Sequence, residues 1–176
     1  EPLAPRSVWF WPVFGLAVLL SFPYYFSLET FFSHDDFAII WFHHAVPLWQ
    51  FWRFFSTDVL TNDYRPLQSI IFAVLWDAFG TAVFPYNFLL VAIHIGNVIL
   101  FGYLVHRLFE NLALTLLSVI LFATNWEYCD VVFWKGNYAT AISWTFTLAA
   151  AAAFAGYRID RRRGAYIASL VFFFFA

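Results

Sequence analysis

Tyr86 to Leu108 is an almost continuous apolar run, and about 20 such residues are enough for a helix to cross a bilayer. It has company: Trp9–Leu28 and Tyr138–Tyr157 read the same way, as does Leu112–Trp126, which is short unless tilted. A fifth run opens near Ala165 and continues to Ala176. The chain is 63% hydrophobic and 11% charged, whereas a soluble domain is about 45–50% apolar and about 25% charged. A small domain has too much surface to hide that excess in a soluble core. The fold expected is therefore all-α: a polytopic transmembrane helix bundle forming one domain over residues 1–176, with spans at 9–28, 86–108, 112–126, 138–157 and 165–176. The chain starts at Glu1 and stops inside an apolar run, so it reads as a fragment.

Charge placement orients this bundle. With a cytoplasmic N-terminus, Arg6, Arg107, Arg158, Arg161, Arg162 and Arg163 lie inside, and Arg53, Arg65 and Lys135 lie outside. That division obeys the positive-inside rule. The acidic side chains take the other side: Glu29, Asp35, Asp36, Asp58, Asp63, Asp77, Glu127 and Asp130 all fall outside. Acidic residues contribute little to topology, so their bias calls for another explanation. A net charge of -2 offers no basic footprint for a nucleic acid. Cys129 is the single cysteine, which rules out an internal disulfide and a thiolate metal cluster.

The first outside segment, 29–85, is too long for a connector and is not polar. Asp36 to Phe55 is rich in Trp and Phe. Asp36 is placed to cap a helix there, and Pro47 is placed to divide it. Such pieces suit helices lying in the membrane interface. Asn62-Asp63 signals a turn. Pro66 to Phe79 reads as a further interfacial helix, with Gly80 positioned to end it.

Asp35 and Asp36 stand where the first span leaves the membrane. Paired carboxylates beside lipid are suited to general-base work, because partial desolvation raises a carboxylate pKa. The competing reading is a helix cap with a solvated neighbour. Glu127, Asp130 and Lys135 belong to the second outside loop, and Arg65 to the first. A shared cleft would gather them, with the cations available to a phosphate. His94 and Asn97 occupy one face of the second span, one turn apart, and polar residues inside a span usually face the bundle. They suit interhelical hydrogen bonding, or, for His94, ligation of a cofactor such as a chlorin. His43, His44 and His106 have no metal-ligand spacing, and neither a glycine-rich phosphate loop nor a nucleophile elbow is present.

The order of these motifs resembles a known family. An acidic pair ends the first span, and Tyr64-Arg65-Pro66-Leu67 follows. Next come Asp77, Phe79-Gly80 and Pro85-Tyr86, which opens a span holding His94 and Asn97. A later loop reads Asp130-Val131-Val132-Phe133-Trp134-Lys135-Gly136-Asn137. From about Asp35 to Ser143 this is similar to the N-terminal half of the GT-C membrane glycosyltransferases, above all the O-mannosyltransferase-like proteins that carry tetratricopeptide repeats and their bacterial cousins. The resemblance implies a catalytic aspartate at Asp35-Asp36. It also implies a substrate-binding role for Asp130, beside those read for Arg65, Lys135 and His94, and a polyprenyl-phosphate sugar as donor. The chain departs from the family pattern where Asn87 and Leu90 replace the His and Asn of a Tyr-His-x-x-Asn motif, and where Asn137 replaces an arginine. These departures bear on catalysis more than on fold.

Two functions remain open. One is a polyprenyl-phosphate-sugar-dependent glycosyltransferase acting on the extracytoplasmic face of a bacterial inner membrane, rather than in the endoplasmic reticulum. The other is a non-catalytic structural subunit of a larger membrane complex, such as one that bears pigment. The partners expected are membrane lipids, the lipid-linked sugar and, in the second case, other membrane subunits, with no nucleic acid. A transporter is disfavoured because no acidic residue lies mid-span.

Overall fold

The computed structural model describes residues 9–33, 35–46, 48–55, 65–125 and 131–176, with the backbone alone at 35 and 42–45. Every regular element among them is helical. In chain order these are α1 (Phe10–Leu20), α2 (Phe22–Tyr25), α3 (Asp35–Ala45), a 3-10 segment (Leu48–Phe55), α4 (Pro66–Phe79), α5 (Val83–Phe109), α6 (Leu112–Ala123), a 3-10 turn (Lys135–Asn137), α7 (Tyr138–Asp160) and α8 (Arg163–Phe175). The turn Asn62-Asp63, the breaker Pro47, and Glu127, Cys129 and Asp130 fall outside the described residues.

Two helices are long and apolar enough to cross a membrane by length and composition: Val83–Phe109, and Lys135–Asp160 if α7 is counted with its leading 3-10 turn. Phe10–Leu20, Pro66–Phe79, Leu112–Ala123 and Arg163–Phe175 are apolar but shorter. The first apolar run is interrupted at Ser21, whose hydroxyl donates to the Ala17 carbonyl at 2.7 Å, a side-chain bond that bends helices. Pro23 follows in the first turn of α2, where its missing N–H does no harm. The third run ends at Ala123, and the Thr124 hydroxyl takes the Ile120 carbonyl at 2.8 Å. Pro66 opens α4, and Gly80, at φ 56°, closes it as its position suggests.

Helix α5 is the axis of the bundle, in contact with α1, α6 and α7. Its ring and side-chain pairings give the directions. Trp9 stacks on His106 with centroids 5.7 Å apart, so the start of α1 meets the end of α5. Phe101 stacks on Phe122 at 4.3 Å, so α6 runs back along α5. Helix α7 runs parallel to α5: Tyr138 donates to the Tyr86 carbonyl at one end, and Arg107 pairs with Asp160 at the other. Helix α8 folds back on α7 through Tyr157–Tyr166 and Phe146–Phe172. Of the alanines at 149–153, Ala150 and Ala152 are buried, and small residues permit close helix approach.

The two largest of four apolar clusters among the described residues join most of the helices. Val13, Ala17, Val98, Val119 and Ala123 join α1, α5 and α6. Phe32, Ile40, Phe72, Leu75, Tyr86, Leu90, Tyr138, Ala141 and Ile142 join α3 and α4 to α5 and α7. The first cluster closes around Gly102, where an added Cβ would lie 2.8 Å from Val13 Cγ1 and 2.9 Å from Val119 Cγ2. Those contacts are too short for any carbon pair, and α1 and α6 would have to move together. Gly96, on the same helix, has nothing within 4 Å of its Cβ position. Gly102→Ala should therefore destabilise the protein by about 1–3 kcal/mol through overpacking. Gly96→Ala should stabilise it by up to about 1 kcal/mol, the helix-propensity difference. Thermal unfolding in detergent reads both, and equal shifts would contradict the packing at Gly102.

Candidate functional site

The polar residues gather at the end of the bundle where α5 and α7 begin. Helix α3 starts beside them. The Asp36 carboxylate reaches back to accept the Ser33 N–H at 3.0 Å, while the Asp36 N–H donates to the Ser33 carbonyl at 2.9 Å. Ser33-x-x-Asp36 thus has the spacing of a capping box, with the acidic side chain in the reciprocal position. The sequence reading placed Asp36 as the cap itself. The S-x-x-D spacing was the available signal for its partner Ser33.

Asp36 is fully buried and Lys135 is 1% exposed. Burying an ammonium is costly unless it is paired and hydrogen-bonded. Lys135 meets that demand with the carbonyls of Thr30 and Phe31, each 3.1 Å from Nζ. Its Nζ also lies 5.2 Å from the centre of the Phe32 ring. Burial works against the charge on Lys135, and the Asp36 carboxylate opposes that penalty electrostatically without cancelling it. Gly136 beside it is just as tight: its Cβ position falls 2.8 Å from the Trp134 ring.

The segment after α2 is held a second time by Asn87, in the first turns of α5. Its Nδ2 donates to the carbonyls of Leu28 and Thr30, both at 3.0 Å. Asn87 stands where the resembling family has a histidine, so comparison of motifs marked it as a loss and missed its role. Gln68 was also missed. Its Oε1 on α4 accepts the Ala139 N–H at 3.0 Å, which satisfies one of the unpaired donors at the start of α7. No sequence spacing announces either bond, since each joins residues more than fifty positions apart.

The residues singled out from sequence divide as follows. Asp36, Arg65 and Lys135 come together, with Arg65 Nη1 donating to the Gly136 carbonyl at 3.4 Å next to Lys135. Arg65 is exposed, unlike Lys135. Asp35 is the first residue of α3 by its backbone, and Asp130 lies outside the described residues. His94 sits deeper along α5, buried edge-on against Tyr24 with centroids 4.8 Å apart. Tyr24 in turn meets Phe133, so aromatic rings lie between His94 and the polar end. Asn97 is buried and donates to the Ala141 carbonyl at 3.0 Å, an interhelical bond of the kind its position implied. Among the described residues no cluster of His, Cys, Asp or Glu could hold a metal.

Chemically, this arrangement combines a desolvated carboxylate, a buried cation that compensates it and an exposed guanidinium within one small region. Removing one partner should strand the others. Lys135→Met should cost about 1–3 kcal/mol, because the Thr30 and Phe31 carbonyls lose a buried donor. Asp36→Asn should cost less, because an amide still accepts the Ser33 N–H. The double variant should be more stable than the sum of the two singles implies. Thermal unfolding of the four proteins closes this cycle, and strict additivity would show that the two charges do not interact. Compared with known proteins, the chain matches no family model, and no curated protein and no solved structure proved similar to it.

Proposed function

We propose that this chain is a GT-C-like membrane glycosyltransferase that draws its sugar from a polyprenyl phosphate. The observation that carries this reading is the meeting of Asp36, Lys135 and Arg65 at one end of an apolar helix bundle. The membrane part is supported by the outward-facing residues. Trp11, Phe22, Phe26, Phe88, Phe173 and Phe174 are all exposed, more apolar surface than a water-soluble monomer carries. In this reading α1–α2, α6 and α8 cross with α5 and α7 to make five spans. The N-terminus is cytoplasmic in a bacterial inner membrane. Trp41, Trp49 and Trp52, exposed on α3 and the 3-10 segment, lie at the level of the lipid headgroups.

The transfer is a displacement at the anomeric carbon. A carboxylate takes the proton of the acceptor hydroxyl as its oxygen bonds to that carbon. The bond from the carbon to the phosphate oxygen breaks, and its electron pair leaves with the lipid phosphate. Asp36 is enclosed and holds Ser33, so the base assigned here is Asp35, with Asp36 fixing the turn that carries it. Arg65, exposed and able to grip two oxygens, is the cation for the departing phosphate. The Lys135 ammonium is already engaged by two backbone carbonyls.

One observation favours a second reading. Lys135 already binds the Thr30 and Phe31 carbonyls and Asp36 already holds Ser33, as they would in a structural subunit of a larger membrane complex. Sugar transfer from a labelled polyprenyl-phosphate donor in membranes distinguishes the two. Asp35→Asn should lower transfer by about 100-fold or more, the usual weight of a general base. Arg65→Gln should also lower it, and Arg65→Lys should recover part. Unchanged transfer in the Asp35→Asn/Asp36→Asn protein would remove both carboxylates from the chemistry. Stoichiometric co-purification with other membrane subunits, without binding of lipid-linked sugar, would establish the structural role instead.

A further inference from the structure

We propose that the opposite end of the bundle, at the α7–α8 turn, is a binding surface for anionic phospholipid headgroups. The proposal rests on the membrane reading above but not on the glycosyltransferase. Arg158, Arg161, Arg162 and Arg163 cluster at this turn, and all four are exposed. The nearest carboxylate, Asp160, is committed to Arg107 of α5. Arg162 reaches it only at 4.0 Å, and its side chain is 74% exposed. Beyond Asp160, only Glu110 adds negative charge at this end among the described residues.

The placement of these arginines runs against ordinary helix electrostatics. Arg162 is the N-cap of α8 and Arg163 its first residue, and no side chain caps the helix there. Helix N-termini carry partial positive charge and favour acids. Cations stacked on such an end repel it and one another, and an anion relieves both. The surroundings select the kind of anion. Exposed Ile159, Tyr166 and Ile167 flank the turn, and Leu108 and Phe109 stand on the adjoining end of α5. A dissolved phosphate has no use for that collar. A phospholipid satisfies it, with its headgroup on the arginines and its chains against the apolar residues.

Native mass spectrometry of protein reconstituted with an equimolar mixture of phosphatidylcholine and phosphatidylglycerol tests this. Wild-type protein should retain phosphatidylglycerol in at least roughly fivefold preference, the effect of a single arginine near an anionic surface. The variant R161Q/R162Q/R163Q should lose the preference, R161K/R162K/R163K should keep it, and added inorganic phosphate should not displace the lipid. Equal retention of the two lipids by wild type, an unchanged preference in the glutamine variant, or displacement by inorganic phosphate would each overturn the proposal. Should the glutamine variant fail to fold, the wild-type preference alone decides. Carbonate extraction of membranes reads the underlying assumption separately. Retention in the pellet without lipid preference overturns the headgroup site alone, whereas release overturns the membrane reading and the site with it.

Discussion

An ammonium group taken out of water must be given oxygen atoms, and Lys135 obtains them from a segment about a hundred residues earlier in the chain. Much at this end of the molecule follows from that requirement. Thr30 and Phe31 can present their carbonyls only if the stretch after α2 is held in place, and Asn87 holds it from α5. Asp36 can stay buried only beside a cation, so the start of α3 is fixed relative to the turn before α7. Arg65 joins the same turn through Gly136. One stretch, residues 30–36, thus supplies the oxygens around Lys135, while Asn87 holds that stretch and Arg65 holds the turn carrying the lysine.

The two ends of the bundle solve their electrostatics in opposite ways. At the Lys135 end, two of the charges, Asp36 and Lys135, are enclosed and held within the chain. At the arginine end they are many, exposed and mostly unanswered, since Asp160 is shared between Arg107 and the edge of Arg162. Between the ends the contacts are apolar, apart from isolated bonds such as Asn97 to Ala141. A bundle of this kind derives its direction from its ends and its cohesion from its middle.

The sequence made some of this legible. Apolar runs located α5 and α7, and turn chemistry located both ends of α4, where Pro66 and Gly80 act through their own backbone preferences. Local features were less decisive where two signals competed. The first run breaks at Ser21, just ahead of Pro23, which has no N–H for the Leu19 carbonyl, while the serine hydroxyl adds a bond to the Ala17 carbonyl. At the site, the meeting of Asp36, Arg65 and Lys135 was anticipated from loops sharing one face. That Lys135 turns inward was not, because burial depends on oxygen atoms contributed from far along the chain. Asn87 shows the same limit from another side. Read against a motif it is a missing histidine, and only its partners reveal that an amide with two donors suits the place.

The turns after α5 and α7 share one geometry. Glu110 and Arg161 are both left-handed, at φ 50° and 58°. Each donates its N–H to a carbonyl four residues back at 2.8 Å, and each is followed by an extended residue that starts the next helix. Neither is the glycine usually found at such a position. Two residues of linker leave no slack, so each turn acts as a gear that fixes the rotational phase of the returning helix. One inserted residue would turn α6 by about 100° and carry Val119 away from the notch at Gly102. These two turns can therefore change only by replacing residues one for one.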